Sequence, residues 1–265
     1  MTTHAAKITS FYRKRLDSDK FSEPLTEDKV LFIGFTNRSG STLLSHLFKN
    51  AKLGGAELKD KNFEYFNFEN VRPSSMKKGF FYFNEYYSWA IENSRGDLGY
   101  STVKVNWDQL DFLAQLYEGL NERVKVFYIR RQNIIAQAVS LSVALQSKAW
   151  TSEHQVKGEV SFDAEQIHSC RNIIVRSEEK FEETFRKYGI KPFRISYEAL
   201  VDDTELHMKK IFEGLTGNNF TNKDFDVPVQ KQSSSKSEEF CERYILERPA
   251  EAKYLNRVLE TSRLD

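Results

Sequence analysis

The chain has 265 residues and a formal net charge of +1, so whole-molecule electrostatics gives no case for nucleic acid or a membrane surface as a partner, and any anion site must be local. With 40% hydrophobic and 14% aromatic residues it has the material for a packed core, in one large domain or two small ones, and is not a disordered chain. No apolar run reaches the ~18–20 residues of a membrane span, and two cysteines, Cys170 and Cys241, are too few for a disulfide scaffold or a four-cysteine zinc site.

Residues 1–29 are polar and read as an extension outside the main fold, with Phe11, Tyr12, Leu16 and Phe21 available to pin a short helix to the body. They contain no apolar h-region, so no secretory leader is expected, and the cysteine usage suits a reduced, cytoplasmic setting. The cluster Arg13, Lys14 and Arg15 reads as an ordinary solvated helix face.

Residues 30–48, VLFIGFTNRSGSTLLSHLF, organise the chain. Val30, Leu31, Phe32 and Ile33 form the apolar run of a buried parallel strand. The run breaks at Gly34 into a short polar turn, and a helix restarts at Ser39-Gly40-Ser41-Thr42 with Leu43, Leu44, Leu47 and Phe48 on or beside one face. Strand, small-residue turn and helix together aim backbone N–H groups and a helix dipole at one anion. Arg38 adds a cation to that field, and Ser39, Ser41 and Thr42 add hydroxyl donors. Gly54 and Gly55 are expected to end the helix.

Residues 56–100 are rich in aromatics, from Phe63, Tyr65, Phe66 and Phe68 through Phe80–Phe83 to Tyr86, Tyr87 and Trp89. They fit either a peripheral core or a substrate-facing wall. Residues 100–107, YSTVKVNW, alternate as a strand with Lys104 in the middle, and 108–120 read as a helix. A second apolar strand, 124–129, ends in Arg130-Arg131. The helix over 133–150 shows an inner stripe of Ile135, Ala138, Val139, Ser142 and Leu145, and 162–188 carry a long helix opened by Asp163 with Gln166 as a capping box. Cys170 lies on that helix's inner stripe and reads as core. Residues 192–200 give a third strand leading into a helix through 210, 214–226 read as loop, and a Ser- and Lys-bearing segment precedes the last helix.

Strands alternating with helices predict an α/β fold: a P-loop-like three-layer arrangement, with helices on both faces of a central parallel sheet. Residues 30–265 read as one domain, with 56–100 as an acceptor-side insertion. Ligands bind at the carboxyl ends of such strands, so Arg38 and Arg131 are expected at one sheet edge. The turn lacks the Lys that a nucleotide P-loop carries after its second Gly; Ser41 stands there. The second strand ends in arginines where a triphosphatase wants an acidic Mg²⁺ partner, so phosphate held by protein cations, with no metal, is expected. The histidines His4, His46, His154, His168 and His207 are scattered, His46 reads as packing or surface, and no G-x-S-x-G elbow occurs.

With these residues the chain resembles the sulfotransferases that use 3′-phosphoadenosine 5′-phosphosulfate, and more narrowly the bacterial trehalose 2-sulfotransferase-like branch. NRSGSTLL is similar to that family's phosphosulfate loop, with Arg38 in place of a lysine; RQNIIAQAVS is similar to its 3′-phosphate motif; AQAVSLSVALQSKAW and 162–200 match its later helix, loop and strand. The resemblance spans roughly 30–245. It implies sulfuryl transfer from that donor, leaving adenosine 3′,5′-bisphosphate, to a hydroxyl of a carbohydrate, glycolipid or other alcohol. It implies Arg38, Ser39, Gly40, Ser41 and Thr42 on the 5′-phosphosulfate and Arg131 with Ser140 on the 3′-phosphate. Lys231 and Lys236 both stand as further phosphate partners. Lys104 is implied at the transferring sulfuryl group and Glu64 as the general base, with Glu57 as its competitor. A small-molecule kinase and a catalytically silent binding module are the rival readings. The aromatic surplus hints at a buried partner surface, such as that of a homodimer.

Overall fold

The computed structural model describes residues 3–12, 29–54, 63–117, 119–149, 158–220 and 235–256. Four parallel strands form one sheet in the order β2-β1-β3-β4: β1 (Val30–Phe35), β2 (Ser101–Val105), β3 (Val124–Arg130) and β4 (Phe193–Ser196). Val30 is in register with Ser101 on one side and Val124 on the other. Alternate β1 residues face opposite layers: Val30 and Phe32 belong to one core, Leu31 and Ile33 to the other, so both faces are buried and the strand is apolar throughout.

The first layer holds α1 (His4–Tyr12), α3 (Phe68–Lys78), α4 (Phe83–Asn93), α5 (Trp107–Leu116) and the C-terminal half of α8 (Ala164–Lys187). The second holds α2 (Ser41–Asn50), α9 (Tyr197–Asp202) and α10 (Thr204–Thr216). A third cluster joins α7 (Ile134–Ser147) to the start of α8 and to α11 (Ser235–Glu247), while the short α6 (Leu120–Arg123) leads into β3. The fold is therefore the expected α/β architecture. No helix among the described residues is long and apolar enough to cross a membrane.

Several local expectations are corrected. β1 does not break at Gly34 but runs to Phe35. A Cβ on Gly34 would lie 3.3 Å from the Phe181 ring and 3.4 Å from that of Tyr128, so this glycine makes room for an aromatic pair instead of starting a turn. α2 is closed by Lys52, a non-glycine at φ 59°, and Leu53 N–H donates to the Phe48 carbonyl. Gly54 serves close packing, because a Cβ there would sit 2.8 Å from that of Thr102. On α7, Leu145 is 44% exposed while Ile135, Ala138, Val139 and Ser142 are buried. Asp163 accepts from Gln166 N–H as expected, but the Gln166 side chain turns to Ser142 and Gln146, so the box is half made. Residues 214–216 continue α10.

The aromatic stretch folds largely inward. Phe63, Tyr65, Phe66, Phe83, Tyr86 and Tyr87 are buried, and Phe81 is 62% exposed. Ile8 and Tyr12 of α1 lie in the same core, and Asp108 accepts the Ala5 N–H at 2.8 Å. Leu16, Phe21 and Glu57 fall outside the described residues.

Candidate functional site

The strand order dictates where a ligand fits. β2 and β3 add to opposite sides of β1, so the chain reverses direction across the sheet and leaves a crevice at the carboxyl ends of β1 and β3. The turn at 36–40 follows β1 at that crevice, and Arg131 follows β3.

The turn needs two left-handed residues, Arg38 at φ 64° and Gly40 at φ 96°. Gly40 is the N-cap of α2, no side chain caps that helix, and its first turn has no acidic residue, so the positive end of its dipole faces the crevice without a protein carboxylate. A Cβ on Gly40 would lie 2.2 Å from the Tyr197 ring, so only glycine fits there. The turn is fastened to α7: Gln137 Nε2 donates to Thr36 Oγ1 at 2.8 Å and to the Asn37 carbonyl at 2.7 Å, and Arg38 Nε donates to Ser140 Oγ at 2.9 Å. Burial, and after it the charge of Arg131, lower the Arg38 pKa from its ordinary value. The Ser39 hydroxyl is buried and has no hydrogen-bond partner among the described residues.

On the other side of β1 stands Lys104. The Asn106–Gln109 capping box starts α5 and so ends β2 at Val105, which leaves Lys104 next to the strand end. Its side chain is only 2% exposed, lies over the Phe35 ring at 4.7 Å, and donates to Glu64 Oε1 at 3.0 Å and, more weakly, to Thr42 Oγ1 at 3.5 Å. Glu64 arrives there through the backbone. Lys104 N–H donates to the Phe63 carbonyl at 2.9 Å, Phe63 turns the chain at φ 63°, and Asn70 Nδ2 donates to the Glu64 carbonyl at 2.7 Å. Glu64 keeps 30% of its side chain exposed.

The arginine pair divides by strand alternation. Arg130 turns to Glu182 of α8, at 3.8 Å. Arg131 turns to the crevice, its guanidinium over the Tyr197 ring at 4.7 Å and its Nε 3.7 Å from Glu198 Oε1. The two arginines therefore do not act as one site. Lys236 Nζ donates to the Val160 carbonyl at 2.6 Å and, among the described residues, makes no hydrogen bond to the turn; Lys231 lies outside the described residues. His46 packs edge-on to Phe63, 6.5 Å between ring centres. No group of three metal-ligating side chains is assembled among the described residues.

The structure thus gathers Arg38, Ser39, Gly40, Ser41, Thr42, Lys104, Glu64, Ser140 and Arg131 around one crevice. A family model described as Stf0 sulphotransferase matches residues 31–247, which takes in all of these residues. The chain belongs to the Stf0 sulphotransferase family. No individually curated protein matches the chain. Within this sulfotransferase the sequence reading passed over Gln137, Tyr197 and Glu198. The signal for the last two was available: a polar and an aromatic residue directly after a parallel strand.

Proposed function

We propose that this sulfotransferase uses 3′-phosphoadenosine 5′-phosphosulfate and transfers its sulfuryl group to a hydroxyl of a carbohydrate, glycolipid or other alcohol. The observation that carries the proposal is the buried Lys104 ammonium, held between Thr42 of the anion turn and the partly exposed carboxylate of Glu64. Such a cation stands between the group that holds a leaving phosphate and the group that takes a proton.

The donor fits the residues present: the uncapped α2 N-terminus and Arg38 suit one phosphate, and Arg131 suits a second. When bound, the donor supplies a neutral SO₃ unit and retains the negative charge on its departing 5′-phosphate. Arg38 and the N–H groups at 39–42 hold that charge. Arg131 and Ser140 bind the 3′-phosphate, which requires Ser140 to exchange its bond from Arg38. Lys231 or Lys236 completes the phosphate shell; for Lys236 this means leaving the Val160 carbonyl. Lys104 faces the sulfuryl oxygens, and Glu64, in its ionised form, takes the proton of the attacking hydroxyl. The segment around Glu64 is then the acceptor side of a single domain. The two free cysteines fit action in a reducing cytoplasm.

Calorimetric titration tests this. The wild type is expected to bind adenosine 3′,5′-bisphosphate in preference to magnesium–ATP. Arg131→Ala removes a partly buried phosphate cation, which costs about 3 kcal/mol or roughly 150-fold in affinity. A loss of less than about tenfold in Arg131→Ala refutes the site assignment, and preference for magnesium–ATP refutes the donor. Labelled-sulfate transfer over a panel of sugars, glycolipids and hydroxylated lipids identifies the acceptor.

A further inference from the structure

Among the described residues the carboxylate of Glu198 has four polar neighbours, three of them in the segment that presents Arg131 and the fourth, Ser196, at the end of β4. Oε2 accepts the Gln132 N–H at 2.8 Å and the Ser196 hydroxyl at 3.3 Å. Oε1 accepts the Asn133 N–H at 3.3 Å and stands 3.7 Å from Arg131 Nε. Gln132 and Asn133 are the residues at and just before the N-cap of α7. Their amides, together with the dipole of α7, would otherwise make a second anion site beside the first.

We infer that Glu198 is a positioning residue that makes the site selective for a 3′-phosphorylated nucleotide, by occupying the N-terminus of α7 and fixing the orientation of Arg131. The inference rests on the donor reading above. Glu198 fills the helix end with the protein's own carboxylate, so a ligand phosphate meets Arg131 and not the α7 amides. Its charge also stands by the Nε edge of the guanidinium at 3.7 Å, an ion-pair and not a hydrogen-bond distance, while the Tyr197 ring lies against the face at 4.7 Å. Edge and face together determine where the fork points, and the fork is what matches phosphate oxygens. A carboxylate at this distance also repels an incoming phosphate. The two effects have opposite signs, so experiment separates positioning from mere proximity.

The test compares adenosine 3′,5′-bisphosphate with adenosine 5′-monophosphate, which lacks only the 3′-phosphate, on wild type and Glu198→Gln. Glutamine keeps the size and one acceptor oxygen but removes the charge. Bisphosphate affinity is expected to fall about tenfold while 5′-monophosphate affinity stays within twofold, a selective loss that general destabilisation does not produce. Glu198→Asp, which moves the charge back by one methylene, should show the same selectivity loss at about threefold, and it serves if the glutamine variant does not fold. An unchanged ratio, a tightened bisphosphate affinity, or equal loss of both ligands overturns the inference. A wild type that binds the two nucleotides equally refutes instead the donor reading on which it rests.

Discussion

Gly40→Ala is the most direct probe of how the turn between β1 and α2 is built. The substitution acts twice. It forces an alanine into φ 96°, and it drives a Cβ to 2.2 Å from Tyr197 Cδ2 and 2.9 Å from Cε2. The left-handed backbone alone costs about 1–2 kcal/mol. Overpacking against a ring adds about 1–3 kcal/mol. The ring cannot yield freely, since the Arg131 guanidinium lies over it at 4.7 Å. The sum, about 2–5 kcal/mol, lowers the melting temperature of a chain this size by on the order of 10 °C. The steric part is separable: in a Tyr197→Ala background, only the backbone part should remain. A double-mutant cycle by thermal and chemical unfolding is expected to show about 1–3 kcal/mol of coupling between the two positions. If Gly40→Ala melts within 2 °C of the wild type, or the two substitutions are additive, the packing of Tyr197 on the turn is not what requires a glycine.

For Glu64→Gln, bisphosphate affinity should be retained while sulfuryl transfer falls by about 100-fold or more; surviving transfer would move the base elsewhere, Glu57 being the first to test. Lys104→Met should separate stability from activity. Glu64 is 30% exposed and rehydrates once its partner is gone, and replacing a buried ammonium by an apolar chain is often neutral or stabilising by about 1–4 kcal/mol. Transfer should nevertheless fall by about 10²–10³, so a variant that melts much earlier, or that turns over normally, contradicts the role given to Lys104. Cys170 is buried, and desolvation, with a smaller contribution from Asp163, pushes its thiol from 9.0 up to about 11. Because the folded value is raised, this group's contribution to stability is complete below pH 9 and is lost as pH rises through about 11. At pH 8.5 a chromogenic disulfide reagent should label Cys170 in the unfolded chain but hardly in the native one; equal rates would place the thiol outside the core.

The layered fold and the turn after β1 were legible because both leave period or punctuation in the chain. Apolar runs at 30–33 and 124–129 read as buried parallel strands, and Gly40 amid small polar residues marks a tight turn into a helix. Other features leave no such trace. Gly34 looks like a breaker, yet its cause is the Tyr128–Phe181 pair lying far along the chain. The aromatic stretch has the same composition whether it faces a core or a ligand, and only packing separates the two. Arg130 and Arg131 are equivalent on paper; strand alternation sends one to Glu182 and the other to the crevice. Glu64 reaches Lys104 through a backbone bond from Lys104 to Phe63, a pairing that no local pattern encodes.

The position of β1 at the centre of the sheet also shapes how the protein comes into being. Val30 must pair with Ser101 and with Val124, and neither neighbour is near it in the chain. At the usual translation rate of ~5–20 residues per second, the ~90 residues up to β3 take about 5 to 20 s to emerge. Throughout that interval the most apolar strand of the molecule has no completed sheet to enter. Pairings of such long separation are also slow to close once both partners exist. A nascent chain stalled before residue 124 is therefore the species most in need of a chaperone, and the one most prone to aggregate when synthesis outpaces folding.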